Sequence, residues 1–369
     1  MILHFLTDNK FSDYAIEQFS GPGFHSSFVL ITDLDTIPIV SQSVNIEIIK
    51  PFSRRFYDLL QGLGCFNAII LHGLFWPWEE DVLRMVPSHV KVAWVFWGGD
   101  IYGRKDNCGR FLSCRSRFLL GVQHIKRWIR NKRQPSKYEI PFDLLKRIDY
   151  CLTDIPEDYA FVKQYLGTQI KELWYNYYSI EETIGDLAGD VVDGSNVLLG
   201  NSCSIECNHM DGFRMIELFP IKDSKIVVPL SYGESWLRLL LLRVGKRCFG
   251  SRFQPLVDFI PRSEYNAIIK SCSVAIMPHY RPQAFGNILT ALWLGTRVYL
   301  SEKNNLYSYF KRIGTAIFSL EKDFIRTNSF ALLPLSEVQV AQNRRAISAY
   351  YSKDVMRKRV LELVRELNQ

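Results

Sequence analysis

Short apolar runs alternate with stretches of helical periodicity from the first residues onward. That alternation restricts the chain to a parallel sheet flanked by helices. The runs Ile2–Leu6, Ser27–Ile31, Asn45–Ile49, Ala68–Leu71, Lys91–Trp97 and Asp149–Thr153 read as strands. Helices are expected across Arg54–Leu63 and Trp78–Val86, and another opens at Pro156, since proline is favoured in a first turn. From Glu181 to Ser195 the chain is acidic, carries glycines and has no period, which predicts an interdomain linker. The rhythm then restarts with strands at Val197–Gly200, Lys225–Pro229, Val274–Met277 and Arg297–Leu300. Between them lie expected helices across Asn208–Leu218, Glu234–Val244 and Phe285–Leu294. A chain of 369 residues exceeds one ordinary core. The expectation is an α/β protein of two doubly wound, Rossmann-like domains, 1–180 and 195–350, facing a cleft. The amphipathic stretch Ser352–Leu367, within 351–369, is expected to pack back on the first domain.

No apolar run reaches the ~18–20 residues that span a bilayer. The best candidate, Leu237–Val244, is short and carries Arg238 and Arg243. The start, Met1-Ile2-Leu3-His4-Phe5-Leu6-Thr7, lacks a basic n-region and a small-residue cleavage site, so it reads as a first strand rather than a signal peptide. Eight cysteines follow no framework spacing. Cys203 and Cys207 near His209 invite a zinc reading, but no second ligand pair follows. Reduced, mostly buried thiols in a cytoplasmic protein, with no metal and no cofactor, are expected instead.

The net charge of +7 is concentrated in one place. Between Arg104 and Lys137 stand Arg104, Lys105, Arg110, Arg115, Arg117, Lys126, Arg127, Arg130, Lys132, Arg133 and Lys137, against Asp106 alone. Phe111, Leu112, Phe118, Leu119, Leu120, Val122, Ile125, Trp128 and Ile129 are interleaved at roughly helical spacing. Such a cationic amphipathic segment can lie on an anionic membrane. Nucleic acid is the rival ligand, and a solvated helical face the bland alternative. The aromatic and leucine content favours the membrane surface, and no nucleic-acid partner is expected.

Several strand ends carry chemistry. Val92-Ala93-Trp94-Val95-Phe96-Trp97 breaks into Gly98-Gly99-Asp100-Ile101-Tyr102. In open parallel sheets, ligands bind beyond the carboxyl ends of the strands. Asp100 is therefore an acid at a site position, beside Trp97 and Tyr102, which could stack on a sugar or base; as a plain helix cap it would have no further role. Leu71-His72-Gly73 repeats the pattern, so His72 and Asp100 are candidate general bases on one rim. In the second half, Leu199-Gly200-Asn201-Ser202 makes a turn suited to a phosphate, although it is neither G-x-G-x-x-G nor a P-loop. The segment Met277-Pro278-His279-Tyr280-Arg281-Pro282-Gln283-Ala284-Phe285-Gly286-Asn287 ends a strand and opens a helix, as a metal-independent pyrophosphate site would. There Asn287 as a cap and His279 as a satisfied loop histidine stay open as alternatives. Glu302, one strand later, could bind a sugar hydroxyl or be an ordinary surface acid.

Taken together, His72–Phe75, Trp97–Tyr102, Val197–Ser202, Lys225–Pro229 with Tyr232, and Tyr265–Leu300 resemble the TDP-N-acetylfucosamine:lipid II N-acetylfucosaminyltransferases, the 4-alpha-L-fucosyltransferase family of bacterial envelope polysaccharide synthesis. The resemblance implies a GT-B fold, with acceptors on the first domain and nucleotide-sugars on the second. It implies that Gly200, Asn201, Ser202, Tyr232 and the His279–Asn287 loop (His279, Arg281, Gln283, Gly286 and Asn287) contact a dTDP-like donor. Asp100 and His72 would lie nearest the reacting atoms. The acceptor would be a polyprenyl-pyrophosphate-linked glycan, and the enzyme would sit on the cytoplasmic face of the inner membrane through Trp97, Tyr102, Arg115, Arg117, Lys126, Arg127, Trp128 and Arg130. The chain departs from the family where Glu302 and Lys303 change order after the last strand, which puts a role for Glu302 in doubt. The basic insertion also differs in detail. A nucleotide-sugar epimerase of the same architecture and a non-enzymatic basic surface binder are the alternatives to a glycosyltransferase.

Overall fold

A computed structural model describes residues 1–21, 23–34, 40, 46–129, 138–167, 169–219, 223–324 and 331–369. The chain divides into two units. Unit 1 comprises Met1–Arg104, Ser136–Ser179 and Lys353–Gln369; unit 2 comprises Lys105–Pro135 and Ile180–Ser352.

Unit 1 is built on β1 (Ile2–Leu6), β2 (Ser26–Ile31), β3 (Ile46–Ile49), β4 (Ala68–Leu71), β5 (Lys91–Val95), β6 (Tyr150–Thr153) and β7 (Lys171–Trp174). They lie in the order β3-β2-β1-β4-β5-β6-β7 with every pairing parallel. The strands β1, β4 and β6 are buried at every position and apolar at nearly all, His4 and Thr153 being the polar exceptions, as a sheet covered on both faces requires. One face packs Leu3, Phe5, Ile69, Val92 and Trp94 under the flanking helices. The other packs Ile2, Leu6, Ile70 and Leu152 against Val360, Leu363, Val364 and Leu367 of the C-terminal helix Lys353–Asn368. Tyr150 and Lys91 tie that helix down through Glu366.

Unit 2 repeats the plan with β8 (Asn196–Leu199), β9 (Ile226–Pro229), β10 (Phe253–Leu256), β11 (Cys272–Met277), β12 (Arg297–Leu300) and β13 (Phe318–Ser319). Their order, β10-β9-β8-β11-β12-β13, is again all parallel. In both sheets the strand order reverses beside the unit's first strand, between β1 and β4 and between β8 and β11. A reversal of this kind opens a crevice at the carboxyl ends of the two strands.

Three strands escape the sequence pattern, and all are edges. In β10 (Phe-Gln-Pro-Leu), Pro255 breaks the apolar run, and an edge strand tolerates it because one side needs no ladder bond. β7 is half-exposed, and β13 is only two residues long. Two further expectations are corrected. The Glu181–Ser195 stretch is not a free linker: Ile180–Ile184 is helical and buries Ile180, Thr183 and Ile184. Its acids serve unit 2, since Asp190 and Asp193 both pair with Lys270. The basic insertion, assigned from sequence to the first domain, belongs to unit 2. Its helix, Cys114–Ile129, docks on the helix His209–Glu217. Ser113 Oγ and Arg115 both reach Asp211, at 2.5 and 2.6 Å, and the Ser113 N–H donates to Asn208. Leu112 is buried in the unit 2 core, with Leu119 and Leu120 packed against it. Arg130 lies outside the described residues, as do the side chains of Lys126 and Arg127.

Candidate functional site

Unit 2 brings two of the expected segments to its switch point. β8 ends at Gly200, whose φ of +68° suits glycine, and a Cβ there would stand 3.0 Å from His209 Nε2. Asn201 and Ser202 follow, both buried. From the neighbouring β11 come Pro278 and the buried His279. The helix Phe285–Leu294 then opens at Ala284, a non-glycine residue held at φ +61°. Left-handed backbone at an alanine stores roughly 1–3 kcal/mol and is found where a site dictates the geometry. The first intrahelical bond runs from the Ile288 N–H to the Ala284 carbonyl. The N–H groups of Phe285, Gly286 and Asn287 therefore form the positive end of the helix dipole.

The polar side chains around this point are arranged about Cys207. Its Sγ donates to Asn201 Oδ1 at 3.3 Å, receives Gln283 Nε2 at 3.3 Å, and lies 3.5 Å from the hydroxyls of Ser202 and Ser204. Asn208 Nδ2 binds the Pro278 carbonyl, stitching the two strand ends together. Asn304 caps the helix Asn305–Arg312 through its oxygen, so its amide donates to His279 Nδ1. The imidazole consequently carries its proton on Nε2, a nitrogen that makes no hydrogen bond among the described residues. His209 Nε2 and Arg281 Nε are in the same condition. Burial holds the His279 pKa at about 3, with Arg281 and His209 adding to the depression, and burial holds His209 at about 4. Both imidazoles are neutral, and Arg281 supplies the cation. His209 was missed as a site residue in the sequence, where it read only as a possible zinc ligand. Among the described residues no three His, Cys, Asp or Glu side chains converge as a metal would need.

Of the other donor candidates, Tyr232 borders this cluster: it is 57% exposed, three residues after β9, its side chain bonds Asn201, and its carbonyl receives the Cys203 N–H. Asn287 Nδ2 points to the Tyr265 hydroxyl at 3.4 Å. Glu302 is drawn away: its carboxylate pairs with Lys322 at 2.9 Å, which lowers its pKa.

In unit 1, β5 ends two residues earlier than its apolar pattern, and the chain turns at Gly98 with φ +78°. The Gly98 carbonyl receives the N–H groups of Ile101 and Tyr102. Asp100 is buried, and its Oδ2 accepts from the Trp94 indole at 2.9 Å and from the Trp97 N–H at 3.3 Å. Close to it lies a second buried acid, Glu79, in the first turn of the helix Trp78–Met85. Burial pushes the Glu79 pKa well up, and the Asp100 charge adds to the rise. Glu79 hides in the sequence because Glu79-Glu80-Asp81 reads as an ordinary acidic first turn.

Two sequence assignments in unit 1 are corrected. Tyr102 is no stacking platform: it is 1% exposed, its hydroxyl donates to Asp158 at 2.6 Å, and its ring stacks on Phe161. His72 is no general base, because both ring nitrogens are engaged inside the core. The Trp97 indole, which can only donate, reaches the Tyr177 hydroxyl at 2.8 Å. That hydroxyl therefore donates to His72 Nδ1 at 2.9 Å, and His72 Nε2–H donates to His4 Nδ1 at 3.1 Å. The chain ends with His4 packed between the rings of Phe19 and Phe28. Burial holds His72 at a pKa of about 3 and His4 well below its ordinary value. Trp97 is half-buried in this network.

No protein-family model and no curated protein sequence matches this chain. Solved structures do. The sucrose-phosphate synthase of Thermosynechococcus elongatus superposes with a TM-score of 0.65 at 12% identity, over 99% of this chain and 98% of its own. HepE of Anabaena, solved in complex with UDP and glucose, gives 0.62 at 10% identity over 99% of each chain. A trehalose-6-phosphate protein of E. coli, bound with UDP-2-fluoro glucose, gives 0.63 at 9% identity over 100% of this chain and 99% of its own. The fold is GT-B. Within that fold, the unit 2 switch point is where this chain places His209, His279, its Gly200 turn and its strained helix start.

Proposed function

We propose that this chain is a glycosyltransferase that moves a deoxy-amino hexose of the N-acetylfucosamine type from a dTDP-sugar to a polyprenyl-pyrophosphate-linked glycan. The observation that carries the reading is the unit 2 switch point. A helix N-terminus, a glycine turn, Arg281, the His279 N–H and the unpartnered His209 Nε2 meet there, a set of groups suited to a diphosphate. A nucleoside diphosphate sugar as the donor class is supported by the structural neighbours that hold UDP with glucose and UDP-2-fluoro glucose. The thymidine nucleotide, the deoxy-amino sugar and the lipid-linked acceptor rest on the sequence resemblance.

In this reading, Asp100 takes the proton of the attacking acceptor hydroxyl as its oxygen bonds to the anomeric carbon and the carbon–phosphate oxygen bond breaks. Arg281, the His279 N–H and the Phe285–Asn287 backbone stabilise the departing diphosphate. These groups can carry that charge without a metal, so transfer is expected to survive EDTA.

Thermal shift against dTDP, UDP and GDP tests the donor: dTDP should raise the melting temperature most. A preference for UDP would retain the transferase and remove the resemblance-based donor. Asp100→Asn should lower transfer at least about 100-fold with dTDP binding unchanged; near-normal turnover would exclude Asp100 as the base. Incubation with dTDP-sugar alone should return it unchanged, because appearance of an isomer would mark an epimerase.

A further inference from the structure

We propose that the helix Cys114–Ile129 of unit 2 is a membrane-contacting element that seats on a bilayer surface carrying anionic phospholipid. The inference rests on this helix alone and not on the reaction assigned above. Phe118, Ile125 and Trp128 are 71%, 59% and 81% exposed. Their spacings of seven and three residues put them within about 80° of one another on the helix. The helix is firmly held from its other side, through Leu119, Leu120 and the Asp211 contacts with Ser113 and Arg115. An aliphatic and aromatic stripe on an anchored helix is therefore offered to the outside. Beside it opens an apolar notch of about 520 Å³ between Cys114, Arg115, Phe118, Leu119 and Met210.

Charge selects the occupant. The Arg104–Lys137 stretch carries eleven basic residues and one acid, and the helix itself carries no acid. Apolar residues flanked by Arg115 and Arg117 match the boundary between acyl chains and phosphate headgroups. A second copy of the chain would bring the same positive face against itself, which like charges oppose. A nucleic acid would use the cations but leave Phe118 and Ile125 in water. No described helix is long and apolar enough to cross a membrane, so the contact would be peripheral.

Co-sedimentation with vesicles of phosphatidylcholine, with and without phosphatidylglycerol, tests the proposal on the full chain. Binding should require phosphatidylglycerol and weaken with salt. Acyl-chain-brominated lipid should quench Trp128, a signal lost in Trp128→Phe. Combining Phe118→Ser, Ile125→Ser and Trp128→Ser should reduce vesicle affinity by at least about 100-fold, each buried apolar side chain being worth roughly tenfold or more. Because these residues are exposed, the variant should keep its melting temperature. Arg117→Glu should weaken binding only to the anionic vesicles. Absence of vesicle binding by the native chain, or undiminished binding by the folded triple variant, would overturn the proposal. So would a native dimer that the triple variant turns into a monomer in sedimentation, since a second copy would then be the occupant. Failure here would leave the nucleotide-binding tests untouched.

Discussion

Lowering the pH from 7 to 5 should loosen unit 2 more than unit 1. Unit 2 buries His209 and His279 as neutral imidazoles, with pKa values held at about 4 and about 3. In the unfolded chain the same groups bind a proton near pH 6.5. Between those values the unfolded state holds more protons, so the stability present above pH 6.5 is lost as the pH falls. Each histidine withdraws about 1.9 kcal/mol over this interval, and the pair about 4 kcal/mol. The result scarcely depends on the folded values, since both lie below 5. Unit 1 buries His4 and His72 in the same state and bears the same loss. It also contains Asp154, pushed up to about 7 by burial, and Glu79, raised well above its ordinary value. Those carboxyls take up protons in the folded state first, so Asp154 returns about 2 kcal/mol as the pH falls and Glu79 acts in the same direction. The carboxyls therefore offset part of the histidine loss in unit 1, whereas unit 2 bears its own in full.

Hydrogen exchange followed by mass spectrometry, corrected for intrinsic rates, separates the units. Peptides covering β8 and β11 should lose protection by about a thousandfold between pH 7 and pH 5, and those covering β1 and β4 by markedly less. His209→Gln and His279→Gln should each remove about half of the unit 2 effect. Equal softening of both units, or a pH response unaltered in both variants, would refute the reasoning.

Two substitutions test the geometry of each unit. Tyr177→Phe strands the Trp97 indole N–H and His72 Nδ1 together, so urea unfolding of unit 1 should show a loss of about 2–4 kcal/mol; a loss below about 0.5 kcal/mol would dissolve the hydrogen-bond chain. Gly200→Ala forces a Cβ into left-handed backbone and against His209 Nε2, so unit 2 should lose about 1–2 kcal/mol and dTDP affinity should fall; a variant of native stability and affinity would place the turn elsewhere.

The alternation of apolar runs made both parallel sheets legible, because a strand buried on both faces writes its whole length in apolar residues. The edges were not legible: β7 and β13 are short or half-exposed, and Pro255 masks β10. Positions at strand ends were legible as positions, hence Gly200, His279 and Asp100. What each side chain does was not, because function there depends on partners distant in sequence. Tyr177 lies 105 residues from His72, and Asp158 lies 56 from Tyr102. The affiliation of the basic insertion was hidden for the same reason, since the contacts that bind it to unit 2 come from Asn208 and Asp211.

His72 and His279 show how far topology alone carries such a reading. Each follows the strand just past its unit's switch point, each is buried, and burial holds each near a pKa of 3. From sequence the two are equivalent candidates. In unit 1, however, Tyr177 and His4 take both nitrogens of the ring, and the unanswered position passes to His4 Nε2, packed among Phe19 and Phe28. In unit 2, Asn304 takes one nitrogen and aims the other N–H without a protein acceptor, beside a helix start that Ala284 holds in strained backbone. A buried N–H without an acceptor costs about 1–3 kcal/mol, and a ligand oxygen would relieve that cost where no protein atom does. The same placement in the same topology thus has two surroundings, and the distinguishing fact is where the unanswered nitrogen lies: among phenylalanine rings in unit 1, and beside a helix start and Arg281 in unit 2, where the proposed diphosphate could meet it.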